Sequence, residues 1–337
     1  MLRSLSARLP FGGRPARTDA VVTGPGREPL FDEAFLGRVR RLVLLSGRLR
    51  AEGLAGTHRS RRRGSSPEFA DFKSYSPGDD FRRIDWNTYA RLDGLFVRLS
   101  EVTTELSVHL LVDASDSMDW SGAPATPTKF TYARRVAGAL GYVALWHFDR
   151  LAIAPVGPGL GATFGPSQGR ANVVPMLRYL EAMPTLGGTA LAETVERYVR
   201  ARQRPGLAVI LSDLLTGEPA DLRQALRTMR ARGWHTVVLH LLDEAEVDPV
   251  AAGRFLHGDA PAGALPQIEL VERESGRRLQ LAADEGVLER YAAAVAAWLA
   301  EIDDACRAEE AVCIRLLTSQ PFDQVVLETL HRQGVVA

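Results

Sequence analysis

The chain has little cysteine and no long apolar run, and each shortage excludes a class of protein. Cys306 and Cys313 are the only cysteines among 337 residues. Two cysteines cannot stabilise a chain of this size through disulfides, and they do not form a C-x-x-C motif, so a reducing compartment is expected. No apolar run reaches the about 18 residues that a membrane-spanning helix needs, and the basic N-terminus has no signal-peptide core. The sequence therefore predicts a cytoplasmic globular protein.

The formal net charge is zero, because 41 Lys and Arg residues balance 41 Asp and Glu residues. The whole chain therefore favours neither nucleic acid nor a strongly acidic partner. The charge is unevenly spread, since residues 1–63 are rich in arginine. We interpret residues 1–30 as a flexible Arg-rich arm. Docking to an acidic protein face, or peripheral contact with an anionic membrane, is the alternative role for this arm.

Motifs for nucleotide hydrolysis and for zinc catalysis are absent from the sequence. There is no G-x-x-x-x-G-K-[ST] phosphate loop, and the seven histidines are scattered without H-E-x-x-H spacing. Any nucleotide hydrolysis is therefore expected to belong to a partner protein.

Alternating apolar strands and amphipathic helices predict an α/β fold with a doubly wound, mostly parallel sheet over residues 105–245. Residues 31–104 are predicted to form an N-terminal helix/strand extension packed on the core. Residues 246–337 are predicted to complete the fold with a C-terminal β-hairpin, helix, strand and helix. The predicted strands are 95–102, 106–113, 150–156, 162–164, 207–212, 234–242, 268–271, 278–281 and 311–317; the predicted helices are 33–54, 128–147, 170–182, 190–203, 219–232, 285–308 and 321–333.

Oxygen-bearing side chains follow the ends of two predicted strands. Asp113, Ser115 and Ser117 come directly after an apolar run, and Asp213 ends the run of residues 207–211. Thr189 follows a pair of glycines on a loop. Ligands of open α/β sheets bind beyond the C-terminal ends of the strands, where these residues would converge. Carboxylate and hydroxyl oxygens suit a hard divalent cation, most simply Mg²⁺, with Mn²⁺ and Ca²⁺ as alternatives.

These five residues together resemble the metal-ion-dependent adhesion site of von Willebrand factor A domains. The resemblance implies that Ser115, Ser117 and Thr189 ligate the metal directly. It implies that Asp113 and Asp213 act directly or through water, and that an open position binds a partner's carboxylate. Asp and Ser after a strand are also common turn and cap residues. A metal-free interaction scaffold is therefore the alternative.

A second motif runs from Tyr75 through Ser-Pro-Gly-Asp-Asp-Phe-Arg-Arg-Ile-Asp to Trp86, with Ala90-Arg91 close behind. Read with VDASDSM and with LSDLL at 211–215, it resembles a bacterial family known as domain of unknown function fifty-eight. The resemblance covers most of the chain. It implies a von Willebrand factor A-like domain that serves a MoxR-type AAA+ ATPase as an adaptor in the assembly or maturation of client proteins.

The charged and aromatic residues of this second motif allow two interpretations. One is an internal clasp of ion pairs and rings that holds the N-terminal region, because buried charges need partners. The other is a surface on which the ATPase docks. The residues concerned are Tyr75, Asp79, Asp80, Arg82, Asp85, Trp86 and Arg91.

The function expected from the residues is non-enzymatic protein binding. The enzymatic rival is a metal-dependent phosphatase with Asp113 as nucleophile. Such an enzyme needs a general acid two residues further on, where this chain has Ser115, which cannot serve at neutral pH. Neither of the two lysines, Lys73 and Lys129, is predicted to lie where it could help.

Overall fold

The structure is a computed structural model. The chain divides into two compact units, one of residues 56–105 and one that joins residues 1–55 to residues 106–337. The residues that the structure describes are 5–8, 30–41, 69–76, 84, 86, 88–89, 94–100, 106–122, 126–188, 190–202, 204–215, 218–247, 267–272, 278–282 and 285–326.

The strands and helices alternate through most of the larger unit. In chain order the strands are β1 (Leu5–Arg8), β2 (Phe69–Ser74), β3 (Phe96–Ser100), β4 (Ser107–Asp113), β5 (Arg150–Val156), β6 (Phe164–Gln168), β7 (Leu207–Ser212), β8 (His235–Leu242), β9 (Gln267–Glu272), β10 (Arg278–Ala282) and β11 (Val312–Leu317). The helices are α1 (33–41), α2 (Lys129–Trp146), α3 (Val173–Ala182), α4 (Leu191–Ala201), α5 (Pro219–Ala231), α6 (Glu244–Val247), α7 (Glu285–Ala308) and α8 (322–326).

The central sheet has six strands in the order β11-β8-β7-β4-β5-β6. Its pairs are parallel except for the edge strand β6, which runs antiparallel to β5. The inner strands are almost wholly buried, as expected for a parallel sheet that is covered on both faces. The predicted doubly wound, mostly parallel sheet is therefore confirmed.

Both faces of the sheet carry a hydrophobic core. Because side chains alternate along a strand, Leu110 and Val112 of β4 lie in the core beneath α2, while Leu111 lies in the core beneath α4 and α5. Trp298 and Ile302 of α7 belong to this second core. None of the helices among the described residues is both long and apolar enough to cross a membrane.

Two strands lie where the sequence did not predict them. Strand β1 pairs antiparallel with β9, although residues 1–30 are predicted to be flexible. Its partner lies far along the chain, and local periodicity carries no information about such an edge. Strand β2 pairs with β3 in the smaller unit, and its register shifts between Phe69 and Asp71. Such an irregularity breaks the two-residue alternation that identifies a strand.

A buried histidine on β4 should make the fold sensitive to acid. His109 Nδ1 lies 2.8 Å from the hydroxyl of Tyr198, and its ring packs edge-on against Trp234. Burial, and then the charge of Arg202, lower the pKa of His109 from 6.5 to about 4. Since the unfolded chain has the higher pKa, it binds the proton first as the pH falls. The stabilisation from neutral His109 is therefore complete above pH 6.5 and is lost towards pH 4.

We expect His109→Gln to remove on the order of 2 kcal/mol from the difference in unfolding free energy between about pH 7 and about pH 5. Urea unfolding at the two pH values measures this difference. His235→Gln is the control, because His235 lies on β8 with an exposed side chain. A pH dependence that His109→Gln leaves at the wild-type value would contradict the prediction.

Candidate metal centre

The ends of β4 and β7 lie side by side at the C-terminal edge of the sheet. The two strands pair in parallel, with Val112 beside Leu211. Asp113 is the last residue of β4, and Asp213 directly follows β7. The predicted neighbouring position of these two strands is confirmed, and it brings together carboxylates that are far apart in sequence.

Backbone hydrogen bonds hold the loop after β4 against the segment that ends at Gly187. Leu186 N donates to Ala114 O over 2.6 Å, and Asp116 N donates to Gly187 O over 2.8 Å. Gly187 has a φ of 85°, a left-handed conformation that favours glycine. Thr189 lies two residues further on, outside the described residues, so its role as a ligand stays a prediction.

Oxygen atoms from β4 and its loop converge in the interior. Asp113 Oδ1 accepts a hydrogen bond from Ser115 N over 3.0 Å, and Asp113 Oδ2 accepts one from Ser212 Oγ over 2.5 Å. The hydroxyl oxygens of Ser115 and Ser117 lie 2.9 Å apart. All four residues are buried. Sequence reasoning missed Ser212, although it stands directly before Asp213 in the LSDLL stretch.

The charge of Asp113 is poorly compensated by its immediate surroundings. Burial, and then repulsion from Asp213, raise the pKa of Asp113 to about 6, while hydrogen bonds from Ser212 and Ser115 act in the opposite direction. These direct hydrogen-bond donors are neutral. A divalent cation beside the carboxylate would favour the ionised form of Asp113 and lower its pKa.

Lys129 is a cation in the site that sequence reasoning did not place there. Its side chain is fully buried, and its Nζ lies 2.7 Å from Asp213 Oδ2 and 2.5 Å from Glu246 Oε1. Burial disfavours the charged lysine, but attraction from the two carboxylates outweighs burial and raises the pKa of Lys129 above its ordinary value. Lys129 therefore lies beside Asp213, a position that sequence pattern did not indicate for either lysine.

A local signal for Lys129 exists in the sequence. Thr128 caps α2 by accepting a hydrogen bond from Thr131 N, so Lys129 is the first residue of that helix. A positive charge at a helix N-terminus is unfavourable, and this chain otherwise uses arginine almost throughout. A rare lysine at an unfavourable position indicates a specific partner, which here is a pair of buried carboxylates.

Further contacts hold Asp213 and Glu246 in place. Asp213 Oδ1 accepts a hydrogen bond from Leu215 N over 3.1 Å, and the backbone oxygen of Asp213 lies 2.9 Å from His240 Nε2. The backbone oxygen of Glu246 accepts from the Tyr291 hydroxyl of α7 over 2.7 Å. Burial raises the pKa of Glu246, and the charge of Lys129 opposes that shift. The site is therefore connected to α7 through Lys129 and Glu246.

The donor set fits a hard divalent cation. Asp113, Ser115 and Ser117 supply one carboxylate and two hydroxyls from a single short segment, and the pKa of the carboxylate is raised among neutral donors. In the part of the chain that the structure describes, no group of three or more His, Cys, Asp and Glu side chains could hold a metal. A metal here would depend on the serine hydroxyls.

A groove is lined by residues of α4, α5 and α7. It has a volume of about 430 Å³, and its lining includes Ala190 and Leu214, the sequence neighbours of Thr189 and Asp213. Trp298 and Ile302 contribute apolar surface. Four carboxylates line the groove without a basic side chain: those of Glu193, Glu196, Glu218 and Asp221.

The second motif falls in the smaller unit, which the structure describes in part. Tyr75 N donates to Leu95 O over 2.7 Å, next to the β2–β3 pair. Trp86 is 63% exposed and packs edge-on against Tyr89. Both interpretations of the motif stay open, since its charged members lie outside the described residues: Asp79, Asp80, Arg82, Asp85 and Arg91.

The fold places the protein in a recognisable class. The six-stranded, mostly parallel sheet with one antiparallel edge strand and helices on both faces is the α/β architecture that the resemblance to von Willebrand factor A domains implies. The profile of the family described as "Protein of unknown function DUF58" matches residues 71–294. The chain belongs to this family, which confirms the resemblance seen in the sequence.

Relatives of similar length occur in mycobacteria. The chain is 28% identical over 314 residues to the uncharacterized protein Rv1480 of Mycobacterium tuberculosis, and equally to the uncharacterized protein Mb1516 of Mycobacterium bovis. Each match covers 91% of this chain and 93% of the relative. The family is therefore present in bacteria.

Solved structures resemble the chain more distantly. The SpRpn10 VWA domain aligns at a TM-score of 0.37 with 10% identity, over 66% of this chain and 95% of that domain. The RO (RSR) protein of Deinococcus radiodurans aligns at a TM-score of 0.29 with 18% identity, over 42% of this chain and 28% of that protein.

Proposed function

We propose that this protein is a non-enzymatic, metal-dependent protein-binding module. It serves a MoxR-type AAA+ ATPase in the cytoplasm as an adaptor in the assembly or maturation of client proteins. The observation that carries the proposal is the convergence of the Ser115 and Ser117 hydroxyls beside the buried carboxylate of Asp113. The family resemblance supplies the ATPase as the expected partner.

In this proposal the cation is Mg²⁺, with Mn²⁺ and Ca²⁺ as alternatives. Ser115, Ser117 and Thr189 hold it directly, and Asp113 holds it directly or through water. Both carboxylate oxygens of Asp213 already accept hydrogen bonds, one from Lys129 and one from a backbone N–H, which favours a water-mediated role for Asp213. The metal supplies an electrophilic position for a carboxylate of the partner protein.

The groove lined by α4, α5 and α7 supports a protein as the ligand. Its apolar surface, to which the partly buried Trp298 contributes, suits an aliphatic or aromatic side chain of a peptide segment. Two of its four carboxylates, those of Glu193 and Glu196, are already paired with Arg197 and Arg200. The other two, those of Glu218 and Asp221 at the start of α5, favour basic residues next to that side chain. The expected partner segment therefore carries an acidic residue for the metal, with basic and apolar neighbours for the groove.

One contact favours the metal-free scaffold as a second candidate. The ammonium group of Lys129 already neutralises Asp213, which reduces the need for a second cation at that carboxylate. Lys129 adds little support to the phosphatase alternative, because Asp213 and Glu246 both bind its ammonium group. The position of the missing general acid is still occupied by Ser115.

Capture of a MoxR-type ATPase from the native lysate tests the proposal. We expect the immobilised protein to capture the ATPase with Mg²⁺, and to lose it with EDTA or in the Ser115→Ala/Ser117→Ala variant. Ser167→Ala, on the edge strand β6, is the matched control and should capture as wild type does. Capture that is unchanged by EDTA and by the serine substitutions would place the contact outside the metal centre. No capture at all would contradict the adaptor role.

A further inference from the structure

A second pocket, at the N-terminal edge of the sheet, is lined by three arginines. It has a volume of about 350 Å³, and Arg150, Arg202 and Arg204 contribute to its wall. Ser107 and His109 of β4 line it as well. Nothing in the proposed function uses this pocket.

Strand register and helix length bring these side chains together. Ser107 pairs with Arg150 across β4 and β5, and His109 pairs with Ala152 two residues further on. Because strand side chains alternate, these residues lie on the sheet face that α4 covers. Helix α4 ends at Ala201, so the arginines that follow it reach the open end of that face.

The pocket concentrates positive charge. Its lining includes no carboxylate, and Arg150, Arg202 and Arg204 form no salt bridge with any other described residue. Guanidinium groups stay protonated at every pH at which proteins fold. Arginines after a helix also offset its dipole, but that dipole amounts to only about half an elementary charge. Three full charges exceed what would offset the dipole of α4. Arg150 lies on strand β5, so the dipole does not account for it.

Aromatic packing fixes one wall of the pocket. The guanidinium carbon of Arg202 lies 4.7 Å from the ring centre of Tyr198, and the Tyr198 hydroxyl contacts His109 Nδ1 at 2.8 Å. Tyr198 is almost completely buried. Arg202 is therefore held in place before any ligand arrives, which lowers the entropic cost of binding.

We propose that this pocket binds the phosphate group of a phosphorylated ligand. A phosphate dianion offers several acceptor oxygens and matches the fork geometry of guanidinium groups, whereas a single carboxylate would leave most of the charge unbalanced. The volume also leaves room for the group that bears the phosphate. A phosphorylated side chain of a partner protein and a small phosphorylated metabolite share this chemistry.

The anion pocket is independent of the metal centre. Ser107 and Asp113 mark opposite ends of β4, roughly 20 Å apart at the usual rise per residue. Phosphate binding in EDTA therefore tests the pocket alone, whatever the outcome for the metal.

Calorimetric titration with inorganic phosphate is the first experiment, in EDTA at about pH 8, where phosphate is a dianion. We expect saturable binding that weakens about tenfold for each arginine removed, in Arg150→Gln and in Arg202→Gln. Arg204→Gln is a further variant, because its exposed side chain is less needed for folding. The control is Arg197→Gln, on α4, where Arg197 is already paired with Glu193.

The outcomes separate a specific site from general attraction. Wild type without saturable binding, or an equal loss in Arg197→Gln, would overturn the proposal, as would acetate binding as tightly as phosphate. A phosphoserine peptide and adenosine monophosphate identify the source of the phosphate. Tighter binding of either than of inorganic phosphate supports the site and assigns its ligand, while failure of both to compete with phosphate overturns it.

Discussion

Lys129→Met is expected to lower the free energy of unfolding by about 3–5 kcal/mol, the largest effect of any single substitution considered for this protein. The lysine side chain and the carboxylates of Asp213 and Glu246 are almost wholly removed from solvent. Methionine has a similar length but no charge, so the variant would leave two buried carboxylates close together without a counter-ion. Removing one partner of a buried ion pair costs far more than the pair itself contributes.

Urea unfolding of wild type and variant at neutral pH measures this effect. Arg197→Met is the matched control, because the pair of Arg197 with Glu193 is exposed and should contribute less than about 1 kcal/mol. A second variant, Lys129→Met with Glu246→Gln, should recover part of the loss by removing one uncompensated charge. A Lys129→Met variant no less stable than the control would show that the buried network does not stabilise the fold.

The Ser115→Ala/Ser117→Ala variant is expected to lose divalent-cation binding, with a fall in affinity of roughly 100-fold or more. Each substitution removes a hydroxyl oxygen from a cluster that otherwise depends on one nearby carboxylate. Calorimetric titration of Mg²⁺ or Mn²⁺ into metal-free protein gives the affinity. Wild type should show a saturable isotherm and the variant none.

Ser167→Ala controls for the loss of a serine and should bind the cation as wild type does. Thermal unfolding of the double variant without metal checks that its fold is intact, since both hydroxyls are buried beside Asp113. Identical isotherms for wild type and double variant would contradict the metal centre. That result would favour the scaffold in which Lys129 is the cation of the site.

Local sequence patterns predicted much of the fold, because most helices and strands show their characteristic periodicity over a few residues. Strands β5 and β7 begin and end at the predicted residues, and α7 covers Glu285–Ala308 as its periodicity indicates. Strand β6 begins at Phe164, the last residue predicted for it, and runs to Gln168, and α3 is preceded by a short 3-10 helix at Arg170–Asn172. These boundaries depend on which neighbour pairs with the segment, and sequence pattern does not contain that information.

The neighbouring position of Asp113 and Asp213 also followed from the sequence, because parallel strands end at a common edge. The two serines follow Asp113 so closely that the chain itself keeps them near it. Lys129 shows the limit of this reasoning. It lies at the start of a helix, 84 positions before Asp213, and only the packing of α2 against the sheet brings its ammonium group to that carboxylate.

The sequence by itself determined the order of strands and helices over residues 106–242, the family, and the loop that carries Asp113, Ser115 and Ser117. Each of these depends on interactions over a few residues or on a motif that can be read directly. Tertiary structure alone decided the pairing of Lys129 with Asp213 and Glu246, and the gathering of Arg150 and Arg202 in one pocket. Such contacts join distant segments, and their energies depend on burial that exists only once the sheet and helices have packed.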